Sequence, residues 1–155
     1  MERIRSNDYI ALATEAEEQT ALFRYASCEL SRYPMLDALA HVPNGGYRHK
    51  SEGARLKVQG VRRGYPDILL DYPACDKHGL RIELKRVKNY QIKHEQKEWI
   101  YKLNANGYAA VFCFGWWHAW EVIEAYITGD RARIEKEISA SLSKATGGRI
   151  TKLED

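Results

Sequence analysis

The chain has 155 residues, of which 45% are hydrophobic and 29% are charged, a balance typical of one soluble globular domain with a substantial core. No run of about 18 apolar residues is present and the N-terminus lacks the apolar stretch of a signal peptide, so we expect a cytoplasmic protein with no membrane span. The three cysteines and five histidines show no spacing typical of a disulfide framework or a zinc site.

Positive charge is concentrated in two stretches, although the formal net charge is only +3. Lys and Arg outnumber acids strongly in residues 48–63 and 81–102, whereas acids outnumber them in residues 1–33. A polyanionic partner such as DNA would approach the two basic stretches, and its binding would weaken as salt rises. The alternative is a solvated basic face.

Apolar periodicity and turn signals predict three elements in the first part of the chain. They are a helix from Asn7 or Asp8 to about Tyr33, a strand from Leu36 to Val42, and a helix from Ser51 to Gln59. Pro34 ends the first helix, the Pro43–Gly46 sequence makes a turn after the strand, and Gly60 ends the second helix.

Two short apolar runs, Ile68 to Asp71 and Leu80 to Leu84, have the length and residue types of buried strands. The segment Asp76–Gly79 supplies a turn between them, so we predict a hairpin. Asp67 lies at the start of the first strand and Glu83 lies in the second. Antiparallel pairing would bring the two carboxylates together, although the sequence does not fix the register.

Strand alternation places Glu83 and Lys85 on one face of the hairpin and Leu84 on the other. Two acids and a lysine are costly to bury unless their charges are balanced. Carboxylate oxygens suit Mg²⁺ or Mn²⁺, and a water on such an ion could attack a phosphodiester while Lys85 orients it or neutralises charge on the phosphate. The alternative is an ordinary ladder of glutamate and lysine on a surface hairpin.

Four elements are predicted after the hairpin. They are a helix from about His94 to Asn106, a strand from Tyr108 to Phe114, a core helix that begins near Trp116, and an extra helix with a frayed end in the tail from Arg131 to Asp155. Gly107 ends the first helix and Gly115 closes the strand. The aromatic residues of the core helix are expected to pack in the core, with base stacking as the alternative, and the cluster could also form a dimer interface.

Several motifs occur in an order that resembles a nuclease family. Pro66-Asp67 followed by Glu83-Leu84-Lys85 is similar to the signature of the PD-(D/E)XK superfamily, and Val61-Arg62-Arg63 resembles the motif that names its VRR-NUC family. Further matching segments are Val42–Gly46, Glu95–Trp99, Gly107-Tyr108 and Val111–Trp116. The resemblance implies a restriction-endonuclease-like αβββαβ core, a mixed sheet flanked by helices, in a single domain over residues 1–155 with its core in about 8–127 and a helical extension in 128–155.

The resemblance also implies a metal site. Asp67, Glu83 and a glutamate of the first helix would hold the ion, with the backbone carbonyl of Leu84 as a further ligand. Lys85 would align the attacking water.

Two residues compete for the place of the helix glutamate. The family pattern has a glutamate before a glutamine, which maps here to Glu15 and Gln19. We favour Glu15, because its spacing puts it on one predicted stripe with Gln19, Leu22 and Ala26. Glu18, directly before the glutamine, is the competitor, with a solvated surface position as its alternative.

Gln96 resembles a glutamine that lies beside the metal in many nucleases of the superfamily, and the alternative is a polar residue at the end of an apolar stripe. Residues expected to contact DNA are Asn44, Lys50, Arg55, Lys57, Arg62, Arg63, Arg86 and Lys88. Asn44 could instead make its turn, and Gly60 and Gly64 are expected where the chain bends sharply or approaches a neighbour closely.

The resemblance implies a Mg²⁺- or Mn²⁺-dependent deoxyribonuclease that leaves a 3′-hydroxyl and a 5′-phosphate. Stand-alone members of the family, of phage or bacterial type, imply a homodimer that resolves branched DNA such as Holliday (four-way) junctions. The alternatives are a flap or single-strand endonuclease, an exonuclease, or a non-catalytic module for DNA binding or dimerisation.

Overall fold

The computed structural model describes residues 11–12, 14–44 and 49–147. In these ranges a four-stranded sheet is flanked by helices, which confirms the predicted α/β class. The helices are α1 (Glu15–Cys28), α2 (Lys50–Val58), α3 (His94–Ala105), α4 (Trp116–Ile127) and α5 (Arg131–Thr146), with a 3₁₀ helix over Pro34–Ala38. The strands are β1 (Leu39–His41), β2 (Ile68–Leu70), β3 (Leu80–Lys85) and β4 (Ala109–Phe114). None of the described helices is both long and apolar enough to cross a membrane.

The strands lie in the order β1-β2-β3-β4. The pairs β1–β2 and β2–β3 are antiparallel, and β4 runs parallel to β3 after the crossover through α3. The elements α1, β1, β2, β3, α3 and β4 therefore form the expected αβββαβ core, with α2 inserted between β1 and β2.

Helix α1 begins later than the sequence predicted. Thr14 has an extended backbone, and its hydroxyl accepts a hydrogen bond from the Glu17 N–H at 3.2 Å while the Glu17 carboxylate accepts one from the Thr14 N–H at 3.0 Å. A continuous helix from Asn7 or Asp8 is therefore wrong, and those two residues lie outside the described ranges. The reciprocal threonine and glutamate pair is the stronger start signal.

Helix α1 also ends earlier, at Cys28 rather than near Tyr33. Pro34 does not end it but opens the 3₁₀ helix, because the fixed φ of proline suits a first helical position. The strand predicted over residues 36–42 is correspondingly reduced to Leu39–His41, since the 3₁₀ helix takes its first residues.

Strands β2 and β3 form the predicted hairpin. Ile68 pairs with Ile82 in the antiparallel register, which sets Asp67, one residue before β2, opposite Glu83. The turn is centred on Cys75-Asp76, where φ is 52° and 56°, near the start of the segment that was expected to turn.

The two faces of β3 have different neighbours. Its alternate apolar residues Leu80, Ile82 and Leu84 belong to the main core with α1 and α4. Glu83 and Lys85 point to the opposite face, where α3 packs against Phe112 of β4. The predicted alternation therefore holds, and the charged residues are buried rather than on a free surface.

Helix α5 is the predicted extra helix, and its apolar residues Ile134 and Ile138 join the main core. It also helps to close the outer edge of β4, where alternate backbone N–H groups donate to side chains. These bonds run from Ala110 to Asn104 Oδ1 (3.1 Å), from Phe112 to Ser141 Oγ (3.0 Å) and from Phe114 to His118 Nδ1 (3.0 Å). The predicted frayed end falls in residues 148–155, which lie outside the described ranges.

Candidate active site

Asp67 connects three strands through hydrogen bonds at the open end of the hairpin. Its backbone carbonyl accepts hydrogen bonds from the Val42 N–H at 2.7 Å and from His41 Nδ1 at 2.8 Å. Its carboxylate Oδ2 accepts the Leu84 N–H at 3.0 Å. Both ends of Asp67 are therefore fixed, so the carboxylate is held against β3.

The backbone carbonyl of Leu84 lies on the same side of β3 as Asp67. The next carbonyl, that of Lys85, accepts the Gly115 N–H at 2.7 Å and so faces β4. Because successive carbonyls of a strand point to opposite sides, the Leu84 carbonyl faces the Asp67 side, as its N–H does. An oxygen donor is thus available beside the aspartate.

Glu83 is 3% exposed and has two side-chain partners. Gln96 Nε2 donates to Glu83 Oε1 at 2.6 Å, and Lys85 Nζ lies 3.4 Å from the same oxygen. Gln96 Oε1 meanwhile accepts the Lys93 N–H at 2.8 Å at the start of α3. Gln96 therefore caps the start of its own helix and also contacts the acid pair.

The electrostatic environment disfavours charge on both acids. Burial, and after it the neighbouring Asp67, raises the pKa of Glu83 to about 8, although Lys85 opposes the shift. Burial also raises the pKa of Asp67, and the hydrogen bond from Leu84 offsets part of this effect. The positive charge of Lys85 does not balance the carboxylates of Asp67 and Glu83 when both are ionised, and a divalent cation would supply the missing charge.

A third acid, Glu15, lies beside Lys85 at the edge of this group. The lysine is 3% exposed, and Glu15 Oε1 in the first turn of α1 lies 3.8 Å from its ammonium nitrogen. The Glu15 side chain is 47% exposed, so it can reorient without disturbing the core.

Glu18 has a different environment. It is fully buried, with Oε1 accepting the Leu12 N–H at 2.8 Å and Oε2 accepting the Trp116 N–H at 2.7 Å. Trp116 is the first residue of α4, so the carboxylate caps that helix. The surface position considered for Glu18 is wrong, and both of its oxygens are engaged away from Lys85.

The buried stripe of α1 is Glu18, Leu22 and Ala26. Glu15 is exposed and Gln19 only partly buried, so the prediction that they share the core stripe is wrong. The spacing of four between Glu18 and Leu22 fits the helix as well as the spacing of three between Gln19 and Leu22, and the cap at α4 decides between them.

A cleft of about 600 Å³ opens beside the acid pair. It lies between α2, the loop that follows it and the first turn of α3. Its lining comprises Asn44, Gly53, Leu56, Lys57, Val61, Arg62, Arg63, Gly64, Tyr65, Asp67, Glu83, Lys93, Glu95 and Gln96.

The cleft has a cationic rim. Within the described ranges, Lys57, Arg62 and Lys93 form no ion pair with a carboxylate, whereas Arg63 lies 3.6 Å from Glu95. Of the other residues predicted to contact DNA, Lys50, Arg55, Arg86 and Lys88 do not line the cleft.

The loop from Val61 to Gly64 is fixed from both sides. Asn44 Nδ2 donates to the carbonyls of Arg62 at 2.6 Å and Tyr65 at 3.1 Å, so this side chain braces the loop. Gly64 has φ 79°, and a Cβ there would lie 2.7 Å from the Cβ of Glu95. The close approach expected at Gly64 is therefore confirmed.

Three residues of this region were not predicted as site residues from the sequence. His41 bonds to the Asp67 carbonyl, Lys93 lines the cleft, and Trp99 Nε1 donates to the Arg63 carbonyl at 3.1 Å. Lys93 had a signal in its place in the basic stretch before α3, and Trp99 had one in the family-like segment Glu95–Trp99, although neither was assigned to the site. The contacts of His41 and Trp99 join distant parts of the chain.

Hard oxygen donors suited to Mg²⁺ or Mn²⁺ are present in the Asp67 and Glu83 carboxylates and the Leu84 carbonyl. Among the described residues there is no group of three or more His, Cys, Asp or Glu side chains that could hold a metal ion. These donors are two acids and a backbone oxygen, and Glu15, whose Oε1 lies 3.8 Å from Lys85 Nζ, is at the edge of the group.

A comparison with solved structures shows the family to which this chain belongs. A scan against protein-family models finds no match, and a search of curated proteins also finds none. Among solved structures, a protein described as a VRR_NUC domain protein matches at 33% sequence identity with a TM-score of 0.66, over 77% of this chain and 93% of that one. The chain therefore belongs to the VRR-NUC family of nuclease domains.

Proposed function

We propose that this protein hydrolyses phosphodiester bonds in DNA with Mg²⁺ or Mn²⁺ held between Asp67 and Glu83. The observation that carries the proposal is the placement of these two acids opposite each other, with Lys85 Nζ 3.4 Å from Glu83, in the wall of a cleft with a cationic rim. A buried group of this kind is costly as mere packing, whereas it has a chemical use in phosphodiester hydrolysis.

Four groups would hold the ion: the carboxylates of Asp67, Glu83 and Glu15, and the Leu84 carbonyl. The hydrogen bond from Leu84 and the contact from Gln96 fix the first two carboxylates before any ion arrives. When bound, the ion would supply positive charge for the phosphorane and lower the pKa of the attacking water.

Lys85 would orient that water and neutralise charge that develops on the phosphate. Its position suits this role because the ammonium is buried between Glu83 and Glu15, which hold it in place. The products would be a 3′-hydroxyl and a 5′-phosphate.

The cationic rim would bind the phosphate backbone. Lys57, Arg62 and Lys93 can contact phosphates without first giving up a carboxylate partner in the described ranges. Lys50 and Arg55 on α2, with Arg86 and Lys88 after β3, would extend the contact beyond the cleft. These contacts position DNA without reading its sequence, so affinity should fall with salt.

The substrate class that we favour is branched DNA, and we propose that a homodimer cuts it. Two sites related by a two-fold axis would explain paired cuts in a four-way junction, which has the same symmetry. Cleavage of flaps or single strands, exonuclease activity and DNA binding without catalysis are the competing functions. A cytoplasmic location stays a prediction.

The test is cleavage of labelled linear duplex, single strand, flap and four-way junction in Mg²⁺, Mn²⁺ or EDTA. We expect metal-dependent cleavage that Asp67→Asn and Lys85→Ala abolish, while both variants still bind DNA. Asp37→Asn and Lys136→Ala, which change exposed residues of the same types, are the matched controls.

Wild-type rates in both site variants would contradict the assignment. A wild type that binds junctions but cuts nothing in either metal would indicate the non-catalytic module instead. The substrate that is cut fastest decides among the enzyme classes, and mass measurement in solution tests the homodimer.

A further inference from the structure

A second groove, of about 360 Å³, lies between α1 and β1. Its lining residues are Gln19, Thr20, Phe23, Arg24, Ser27 and His41, and none of them lines the cleft. It is therefore a separate surface, and neither the acid pair nor the cationic rim accounts for it.

This groove starts at the candidate active site. His41 Nδ1 lies 2.8 Å from the Asp67 carbonyl, and Gln19 is one helical turn beyond Glu15 on α1. From Glu15 to Arg24 the helix rises about 13 Å, the axial length of roughly four nucleotides of a stacked strand. A chain that leaves the acid pair on this side would run along α1.

The side chains of the groove suit a polyanion. Its lining contains no acid, and Arg24 is exposed and forms no ion pair in the described part of the chain. A carbonyl can only accept a hydrogen bond, so His41 Nδ1 carries the proton, and Nε2, which has no partner in the described ranges, can accept a further hydrogen bond. Phe23 offers an apolar surface of the kind on which sugars and bases pack.

We propose that the groove between α1 and β1 holds the DNA strand on the side of the scissile phosphate that the cleft does not hold. Arg24 contacts phosphates there, His41 Nε2 accepts a hydrogen bond from a water that also donates to a phosphate, and Phe23 packs against a sugar or a base. This inference rests on the proposed function, because a phosphodiester that is cut in the middle of a strand has nucleotides on both sides.

The test combines groove variants with trimmed substrates. Once the cut is mapped, substrates are shortened one nucleotide at a time on either side of it, and kcat/KM is measured at several salt concentrations. Arg24→Ala should lower kcat/KM about three- to tenfold on full-length substrate and reduce the salt slope by about one phosphate contact. The difference from the wild type should shrink as nucleotides are removed from one side only.

His41→Asn gives an independent test. The asparagine amide keeps a donor near the position of Nδ1 for the Asp67 carbonyl, but it has nothing at the position of Nε2. We expect the same one-sided pattern as with Arg24→Ala, with an unchanged melting temperature. Arg32→Ala, an exposed arginine that does not line the groove, is the matched control.

The outcomes separate the two proposals. If the wild type cuts no DNA in Mg²⁺ or Mn²⁺, the proposed function fails and this inference fails with it. If the wild type cuts DNA and both groove variants match the wild type and Arg32→Ala on every substrate, only the groove assignment is overturned.

Discussion

Replacing Glu18 by glutamine separates the two roles that a glutamate of α1 can have, a metal ligand or a structural anchor. The Glu18 carboxylate is fully buried and accepts the N–H groups of Leu12 and of Trp116, the first residue of α4. Glutamine keeps the shape of the side chain. It can accept only one of these N–H groups, because its other terminal atom is itself a donor.

The expected loss follows from these contacts. A hydrogen bond to a charged group contributes about 1.5–3 kcal/mol, and a buried N–H left without an acceptor costs about 1–3 kcal/mol. The negative charge at the start of α4 adds up to about 2 kcal/mol. Since the remaining bond survives in weaker form, we expect Glu18→Gln to lower the free energy of unfolding by about 3 kcal/mol, and the melting temperature by about 6–12 °C.

The assay is thermal and denaturant unfolding followed by cleavage at a temperature well below both transitions. Glu15→Gln is the matched comparison: this glutamate is 47% exposed, so its loss should change stability by less than about 1 kcal/mol while cleavage falls. Glu18→Gln should show the opposite pattern. If it melts within about 1 °C of the wild type and loses cleavage, the reasoning is refuted and Glu18 belongs to the site.

Three further predictions concern the loop before β2 and the acid pair. In a denaturant titration, Gly64→Ala should lower the free energy of unfolding by about 2–4 kcal/mol, because the added Cβ meets the backbone of α3. Gly60→Ala is also at positive φ but in open space, so it should cost only about 1 kcal/mol. In EDTA the wild type should lose stability as pH rises from 4.5 to about 8, because the raised pKa of Glu83 means that its ionised form destabilises the fold. Glu83→Gln should remove most of this loss, which is at most about 5 kcal/mol, in unfolding curves across that pH range. Gln96→Ala should weaken Mn²⁺ binding and cleavage about 10- to 100-fold, measured by metal titration and single-turnover kinetics, and unchanged values would contradict a supporting role.

Local sequence rules were sufficient for the hairpin. The strand lengths and the period of two predicted that Glu83 and Lys85 share a face, and the turn residues brought the strands into antiparallel pairing. The register that sets Asp67 opposite Glu83 was left open, because it depends on how the whole sheet packs and on the Leu84 N–H that the aspartate accepts.

Helix α1 shows where such rules stop. The phase of its stripe was ambiguous by one residue, since both Glu18 and Gln19 fit the spacing to Leu22. The choice depends on the Trp116 N–H, which lies 98 residues further along the chain and needs a buried acceptor. His41 is a similar case, because its contact with Asp67 joins two strands across a segment that contains a whole helix.

In the proposed function, rigid residues carry out the chemistry and adaptable residues bind the DNA. Glu83 and Lys85 are each 3% exposed and fixed by neighbours, whereas α2, with Lys57 at the cleft, has no buried residue. Buried groups keep the geometry that hydrolysis needs, and exposed cations on a loosely packed helix can follow phosphates in differently bent DNA. Substitutions in the first set should therefore lower kcat on every substrate. Substitutions in the second should raise KM and reduce the salt slope to an extent that depends on the shape of the DNA.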